Sequence, residues 1–160
     1  MPLDPCPPVE AMQVLEVSLD RSSATSAPGY GSVLATTSLG PPVLQRWCVW
    51  LEPADHQPPD RWEQRWTLAL ESALSVWEEV LPITRVMSPA QAHIQIFQQR
   101  PPRRRIGSKW RASNGRSRLQ VVEVQRQGQW RLEPHVDVLV SPELRASVIK
   151  ATAVHELGHA

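Results

Sequence analysis

Apolar side chains recur at steps of three and four residues between Trp62 and Leu81, and this spacing predicts one long helix with an apolar face. Asp60 and Glu63 occupy the two positions of a capping box, so we expect the helix to begin at Asp60. Pro82 is expected to end it. The apolar positions of this helix are Trp62, Trp66, Leu70, Ala73, Leu74, Trp77 and Leu81.

Four stretches have the composition or the alternation of β-strands, namely residues 47–51, 92–97, 119–124 and about 131–140. In the second stretch Ile94 and Ile96 fall on one side, and in the last stretch valines alternate with other residues. Residues 127–129 contain a glycine and are expected to form the turn between the last two strands.

A second helix is predicted for the last part of the chain. Ser141 suits the N-cap, Pro142 the first helical position and Glu143 the first turn, so the helix is expected to run from Pro142 to the end. Its stripe should face the rest of the domain and border a cleft. The residues of this stripe are Leu144, Val148, Thr152, His155 and His159.

These elements predict an α+β domain over residues 45–160, preceded by a Pro- and Ser-rich, loosely structured segment over residues 1–44. Val14 to Leu19 could form one short strand or helical turn in that segment. Two cysteines, Cys6 and Cys48, are too few for a disulfide framework, and the sequence leaves their pairing open. We expect Cys6 to be unpaired.

The composition excludes few functions. Lys+Arg 17 against Asp+Glu 16 gives a formal charge of +1, which selects no class of partner, and the hydrophobic content of 41% is that of a globular chain. An apolar run of the ~18 residues that span a membrane is missing, and the first residues do not resemble a secretory signal. A cytoplasmic location or an N-terminus further upstream is therefore expected, and the oligomeric state stays open.

The last residues of the chain spell H-E-x-x-H. On a helix, His155 and His159 would project from one face about 6 Å apart along the axis, where two imidazoles can hold one Zn²⁺. Glu156 would lie beside the ion and could take a proton from bound water. The alternative is a pair of helical histidines at the edge of a core.

The stretch Thr152 to Ala160 resembles the active-site helix of the metzincin metalloproteases, and of matrixin-like ones in particular. Gly158 before the second histidine and Ala160 after it are typical of that group, whose longer pattern is H-E-x-x-H-x-x-G-x-x-H. The resemblance implies a twisted mixed sheet with two long helices. His155 and His159 would be the first two zinc ligands and Glu156 the catalytic base.

A third histidine, the glycine before it and the methionine turn have no counterpart before Ala160. We therefore expect an incomplete catalytic domain whose C-terminal subdomain is missing. The implied activity is zinc-dependent hydrolysis of peptide bonds in a protein or peptide substrate. In this family an edge strand pairs with the substrate main chain, and residues 119–140 are expected to supply it.

Two other interpretations stay open: a non-catalytic remnant that binds metal weakly, and a polyanion-binding domain. The latter would use basic residues that accumulate between Glu79 and Glu123 without an acidic one, although a solvated loop is favoured and nucleic acid is not an expected partner. These basic residues are Arg85, Arg100, Arg103, Arg104, Arg105, Lys109, Arg111, Arg116 and Arg118.

Two further sets of residues could approach the metal. His56, His93 and His135 are expected at the surface or behind the ligands rather than as the third ligand. Cys6 is faintly similar to the inhibitory cysteine of matrixin pro-segments, but its flanking residues do not match that pattern.

Overall fold

The computed structural model describes residues 5–22, 46–111 and 113–158, which form a mixed six-stranded sheet, a two-stranded hairpin and two helices. The chain is therefore α+β, as predicted. Its elements are β1 (Ala11–Ser22), β2 (Trp47–Leu51), α1 (Arg61–Glu78), β3 (Ile83–Val86), a 3₁₀ turn (Pro89–Gln91), β4 (Ile94–Gln98), β5 (Arg104–Ile106), β6 (Lys109–Arg111), β7 (Gly115–Arg126), β8 (Gln129–Val140) and α2 (Ala146–Leu157).

The sheet has the strand order β1-β7-β8-β4-β2-β3. Strands β3, β2, β4 and β8 are parallel, whereas β7 runs antiparallel to β8 and β1 antiparallel to β7. Gln127 and Gly128 join β7 to β8 with φ values of 51° and 77°, as a two-residue hairpin turn requires. The predicted turn is thus confirmed, and both of its strands are longer than the sequence indicated.

Helix α1 confirms the predicted capping box, since the Asp60 carboxylate accepts from the Glu63 N–H and the Glu63 carboxylate from the Asp60 N–H. Trp66 is fully buried, but Trp62 is 50% exposed and lies beneath the guanidinium of Arg65, 4.2 Å from the ring centroid. The helix ends at Glu78, earlier than expected. Among the described residues no helix is both long and apolar enough to cross a membrane.

Both helices pack on one face of the sheet and form the main core with it. Trp66 Nε1 donates to the Val140 carbonyl at 3.1 Å, which satisfies the indole at the centre of this core. The buried members of the core are Trp47, Val49, Leu51, Trp66, Ala69, Leu70, Ala73, Leu74, Ile94, Ile96, Leu119, Val136, Val138, Val140, Ile149, Ala153 and Leu157.

The predicted start of α2 at Pro142 is wrong, because the helix begins at Ala146 with Arg145 as its N-cap. Ser141 instead continues the end of β8: its N–H donates to the Asn114 carbonyl at 2.9 Å. The prediction of which α2 residues face the core is also wrong, because most of the buried positions are one residue further along than predicted. The residues that face the core are Ile149, Ala153, Glu156 and Leu157.

The N-terminal segment is not loosely structured over residues 5–22. Cys6 forms a disulfide with Cys48, so the expectation of an unpaired cysteine is wrong, and both residues are 1% exposed. They pack with Val86 and Ala92 in a second, smaller core. Residues 23–45 lie outside the described residues. The disulfide and the pairing of β1 with β7 extend the folded unit to residue 5.

Within the stretch where the basic residues accumulate, residues 104–111 form a short hairpin of β5 and β6. Gly107 stands in its turn with a φ of +64°, a backbone conformation that glycine adopts without strain.

Candidate functional site

Helix α2 approaches strand β7 closely at Gly115. A Cβ atom at this position would lie 2.6 Å from Thr152 Cγ2 and 2.9 Å from Glu156 Cγ, distances that real Cβ atoms do not reach. The absence of a side chain at residue 115 therefore lets the helix lie directly on the strand.

Glu156 points from α2 towards this strand and has no exposed surface (0%). Ser117 faces the helices because it pairs with core residue Val138 in the register of β7 and β8. The Ser117 hydroxyl lies 2.6 Å from Glu156 Oε2 and 3.0 Å from the Glu156 carbonyl oxygen. The other carboxylate oxygen, Oε1, has no hydrogen-bond partner within the described ranges.

The surroundings of Glu156 change its affinity for a proton. Burial raises the pKa of this carboxyl group above its ordinary value, while the hydrogen bond from Ser117 and the charge of His155 oppose the rise. An ionised carboxylate is costly to bury. A buried glutamate with one unpartnered oxygen is thus a group whose proton affinity is set by its environment rather than by solvent.

His155 is exposed and faces a different direction from Glu156, because neighbouring helix positions are about 100° apart. It borders an open groove of about 390 Å³ on the outer side of α2. The other lining residues are Asn114, Ser147, Val148, Ala151 and Thr152. His159 lies outside the described residues, so the structure places two of the three predicted site residues.

His93 and His135 have contacts away from His155. The Cys48 N–H donates to His93 Nδ1 at 3.0 Å, and His93 Nε2 lies 3.5 Å from Glu133 Oε1. His135 alternates with Val136 along β8, so its side chain lies on the sheet face opposite the helices, 3.5 Å from Asp137. Neither position suits a third ligand beside His155.

A second group of possible ligands, which was not predicted from the sequence, lies at the start of α1. Nδ1 of His56 lies 2.8 Å from Glu63 Oε1 and 3.3 Å from Asp60 Oδ2. The ligand atoms of these three residues lie within 4.8 Å of one another, so the group could hold a metal ion. Its signal in the sequence was a histidine placed four residues before the capping aspartate.

The same group already has a structural role without an ion. The Glu63 carboxylate accepts backbone N–H groups of Asp55 at 2.6 Å and of Asp60 at 3.1 Å. Burial would raise the pKa of Glu63, but these bonds and the one from His56 outweigh it and lower the pKa. The hydrogen bond to Glu63 in turn raises the pKa of His56. The group is therefore explained as a charged helix cap.

Comparison with protein-family models, with curated proteins and with solved structures finds no significant match to this chain. The residues of α2 and β7 and their geometry are therefore what indicates a function.

Proposed function

We propose that this chain carries the zinc-binding helix of a metalloendopeptidase of the matrixin-like metzincin type. The observation that carries the proposal is Glu156: a fully buried carboxylate with one unpartnered oxygen, next to an exposed histidine within an H-E-x-x-H sequence. A purely structural glutamate would satisfy both oxygens, since an unpaired buried polar atom destabilises the fold.

The sheet supports the same proposal. The family implies a twisted mixed sheet with two long helices, and the chain has a mixed sheet in which α2 follows directly after β8. The helix that carries His155 lies close against β7, the strand antiparallel to β8, at Gly115.

The proposal assigns three roles to residues of this chain. His155, on the open groove, and His159 would hold the zinc ion through imidazole nitrogens. A zinc ion held there would supply a water of lowered pKa and would polarise the scissile carbonyl. Ser117 would hold Glu156 through Oε2, which leaves Oε1 to accept the proton of the attacking water and to pass it to the leaving amine.

A zinc titration tests the metal part of the proposal, with the second ligand group as the matched control. We expect one tightly bound Zn²⁺ in the full chain, lost in the double variant His155→Ala/His159→Ala and retained in His56→Ala. Isothermal titration calorimetry on chelator-treated protein measures it. Zinc that persists in the double variant but disappears in His56→Ala would assign the metal to the cap of α1 and contradict the proposal.

Hydrolysis of a mixed peptide library, followed by mass spectrometry, tests the reaction. Glu156→Gln keeps the size of the side chain and an oxygen for Ser117 but removes the base, so cleavage should stop while zinc binding persists. Cleavage at the wild-type rate in Glu156→Gln would contradict the assigned base. Salt-sensitive binding of nucleic acid without zinc binding would instead favour the polyanion interpretation.

A further inference from the structure

A groove of about 320 Å³ lies on the face of the sheet opposite the helices. Its floor consists of β7 and β8, and its walls are the start of β1 on one side and the 3₁₀ turn on the other. The Val9 N–H donates to the Ala90 carbonyl at 2.8 Å and so joins the two walls. This sheet groove has the size of a small-molecule pocket.

The sheet groove is lined mostly by apolar side chains. Val122 and Val124 lie on its floor and are buried, although they face away from the main core. The first part of β1, residues 11–14, pairs with residues 122–125, so that half-exposed Met12 lies opposite Val124 at the rim. An apolar surface that is open to water favours a ligand with a hydrocarbon part.

A buried cation lines the same groove. Arg126 is 3% exposed, and its Nε donates to Glu133 Oε1 at 3.0 Å. Its Nη1 donates to the carbonyl oxygens of Pro7 and Gln91. For the remaining nitrogen, Nη2, the part of the chain that the structure describes supplies no acceptor. Because a guanidinium carries five N–H donors, this buried arginine retains donors for a ligand.

The charges beside the sheet groove favour an anion. The Glu133 carboxylate is already shared, since Oε1 accepts from Arg126 and Oε2 lies 3.2 Å from Arg131 Nε. Two guanidinium groups therefore meet one carboxylate, which leaves a surplus of positive charge. A cationic ligand would be repelled by this surplus, and a purely apolar ligand would leave Nη2 buried without an acceptor.

We propose that the sheet groove binds a short alkyl carboxylate. The carboxylate of the ligand would accept from Arg126 Nη2, and its hydrocarbon chain would lie on Val122 and Val124. The site is on the sheet face opposite α2 and does not depend on zinc or on the peptidase assignment. A ligand in this place would touch β1, the 3₁₀ turn and the β7–β8 hairpin together, so its binding would stabilise their packing.

Octanoate added to the full chain in metal-free buffer tests the ligand class, with two-dimensional amide NMR spectra as the readout. We expect saturable shifts in residues 9–12, 89–92 and 122–126. Octanamide, which has the same chain without the charge, should bind about ten- to a hundredfold more weakly. Hexanoate should bind about tenfold more weakly, because two fewer methylene groups are buried.

A pair of methionine variants tests the location. Met12→Glu puts a negative charge at the rim and should weaken octanoate binding about three- to tenfold. Met87→Glu makes the same change at an exposed methionine outside the groove and should bind octanoate like wild type. Arg126 itself is left unchanged, because its removal would leave Glu133 buried without a charged partner.

Equal affinities for octanoate and octanamide would overturn the proposal, as would equal effects of the two methionine variants. The absence of shifts at about 10 mM octanoate would do the same. Shifts concentrated on Leu74, Trp77 and Ile83 would place the ligand in a smaller apolar cavity at the end of α1 and would also contradict it. None of these results bears on the zinc titration or on peptide hydrolysis, so the two proposals fail separately.

Discussion

At the scale of single residues, Ser117 and Glu156 form the contact on which the candidate site depends. Ser117 is only 2% exposed. Its hydroxyl donates a hydrogen bond to Glu156 Oε2 in a region closed to water. Its removal would leave both carboxylate oxygens without a donor among the described residues. Ser117 is therefore a positioning residue for Glu156 as well as a stabilising one.

We expect Ser117→Ala to lower the free energy of unfolding by about 1–3 kcal/mol, the cost of an unsatisfied buried polar group. Urea denaturation followed by circular dichroism measures this change. Ser75→Ala is the control, because the exposed Ser75 hydroxyl donates to the Glu71 carbonyl in a place that water can reach. Equal losses in the free energy of unfolding would show that the buried bond to Glu156 stabilises the fold no more than an exposed hydrogen bond does.

The cap of α1 predicts a pH effect of its own. Because the hydrogen bond to Glu63 raises the pKa of His56 above 6.5, the protonated histidine stabilises the folded state. That stability is present below pH 6.5 and is lost as the pH rises through the folded-state pKa. Thermal unfolding from pH 5 to pH 8 should show a fall for wild type that His56→Gln lacks. Parallel curves would contradict the prediction.

At the scale of elements, the β7–β8 hairpin contains a buried charge network that no periodicity could reveal. Arg126 Nε donates to Glu133 Oε1 at 3.0 Å across the hairpin, and both side chains are almost fully buried. Burial raises the pKa of Glu133, but the hydrogen bond and charge of His93 and the charges of Arg126 and Arg131 outweigh it and lower the pKa below 4.5.

Acid should therefore weaken this hairpin. A depressed folded-state pKa gives stability that is present above pH 4.5 and is lost as the pH falls through the folded value. Glu133→Gln should unfold with a shallower acid dependence than wild type in that range. It should also cost about 3–5 kcal/mol at neutral pH, because the buried charge of Arg126 is left without its charged partner. Urea titrations at several pH values test both effects.

The sequence was informative where local chemistry decides the structure. The capping box of Asp60 and Glu63, the glycine turn at Gly128 and the alternating valines of β8 each predicted the correct element. It failed at Ser141, which continues β8 through the bond of its N–H to the Asn114 carbonyl, whereas helix α2 starts only at Ala146. The H-E-x-x-H pattern indicated a possible metal-binding chemistry. It did not predict the hydrogen bond between Ser117 and Glu156.

At the scale of the whole molecule, the N-terminal segment is joined to the sheet by long-range contacts that sequence patterns do not encode. Cys6 is 42 residues from its partner Cys48, and β1 pairs with a strand about a hundred residues further along. The first eight residues contain four prolines, which favoured an interpretation as a loose tail. The disulfide instead makes this tail part of the second core.

Loss of the disulfide should weaken the whole domain. Closing a loop of 42 residues restricts the unfolded chain, so Cys6→Ser/Cys48→Ser should lower the free energy of unfolding by about 2–4 kcal/mol. Two polar hydroxyls in a site that is 1% exposed add to this cost, and Cys6→Ala/Cys48→Ala measures the cross-link without them. Urea denaturation compares the three proteins.

The same variants connect stability to the pairing of β1 with β7. If the anchor at Cys6 keeps β1 on the sheet, the alanine pair should speed deuterium exchange along residues 122–125 more than along the interior amides of β4. Faster exchange confined to the first part of β1 and its partners follows from a local release of the segment. A uniform increase across all strands would instead mean that the disulfide stabilises only the global fold, and the segment would then have no separate anchoring point.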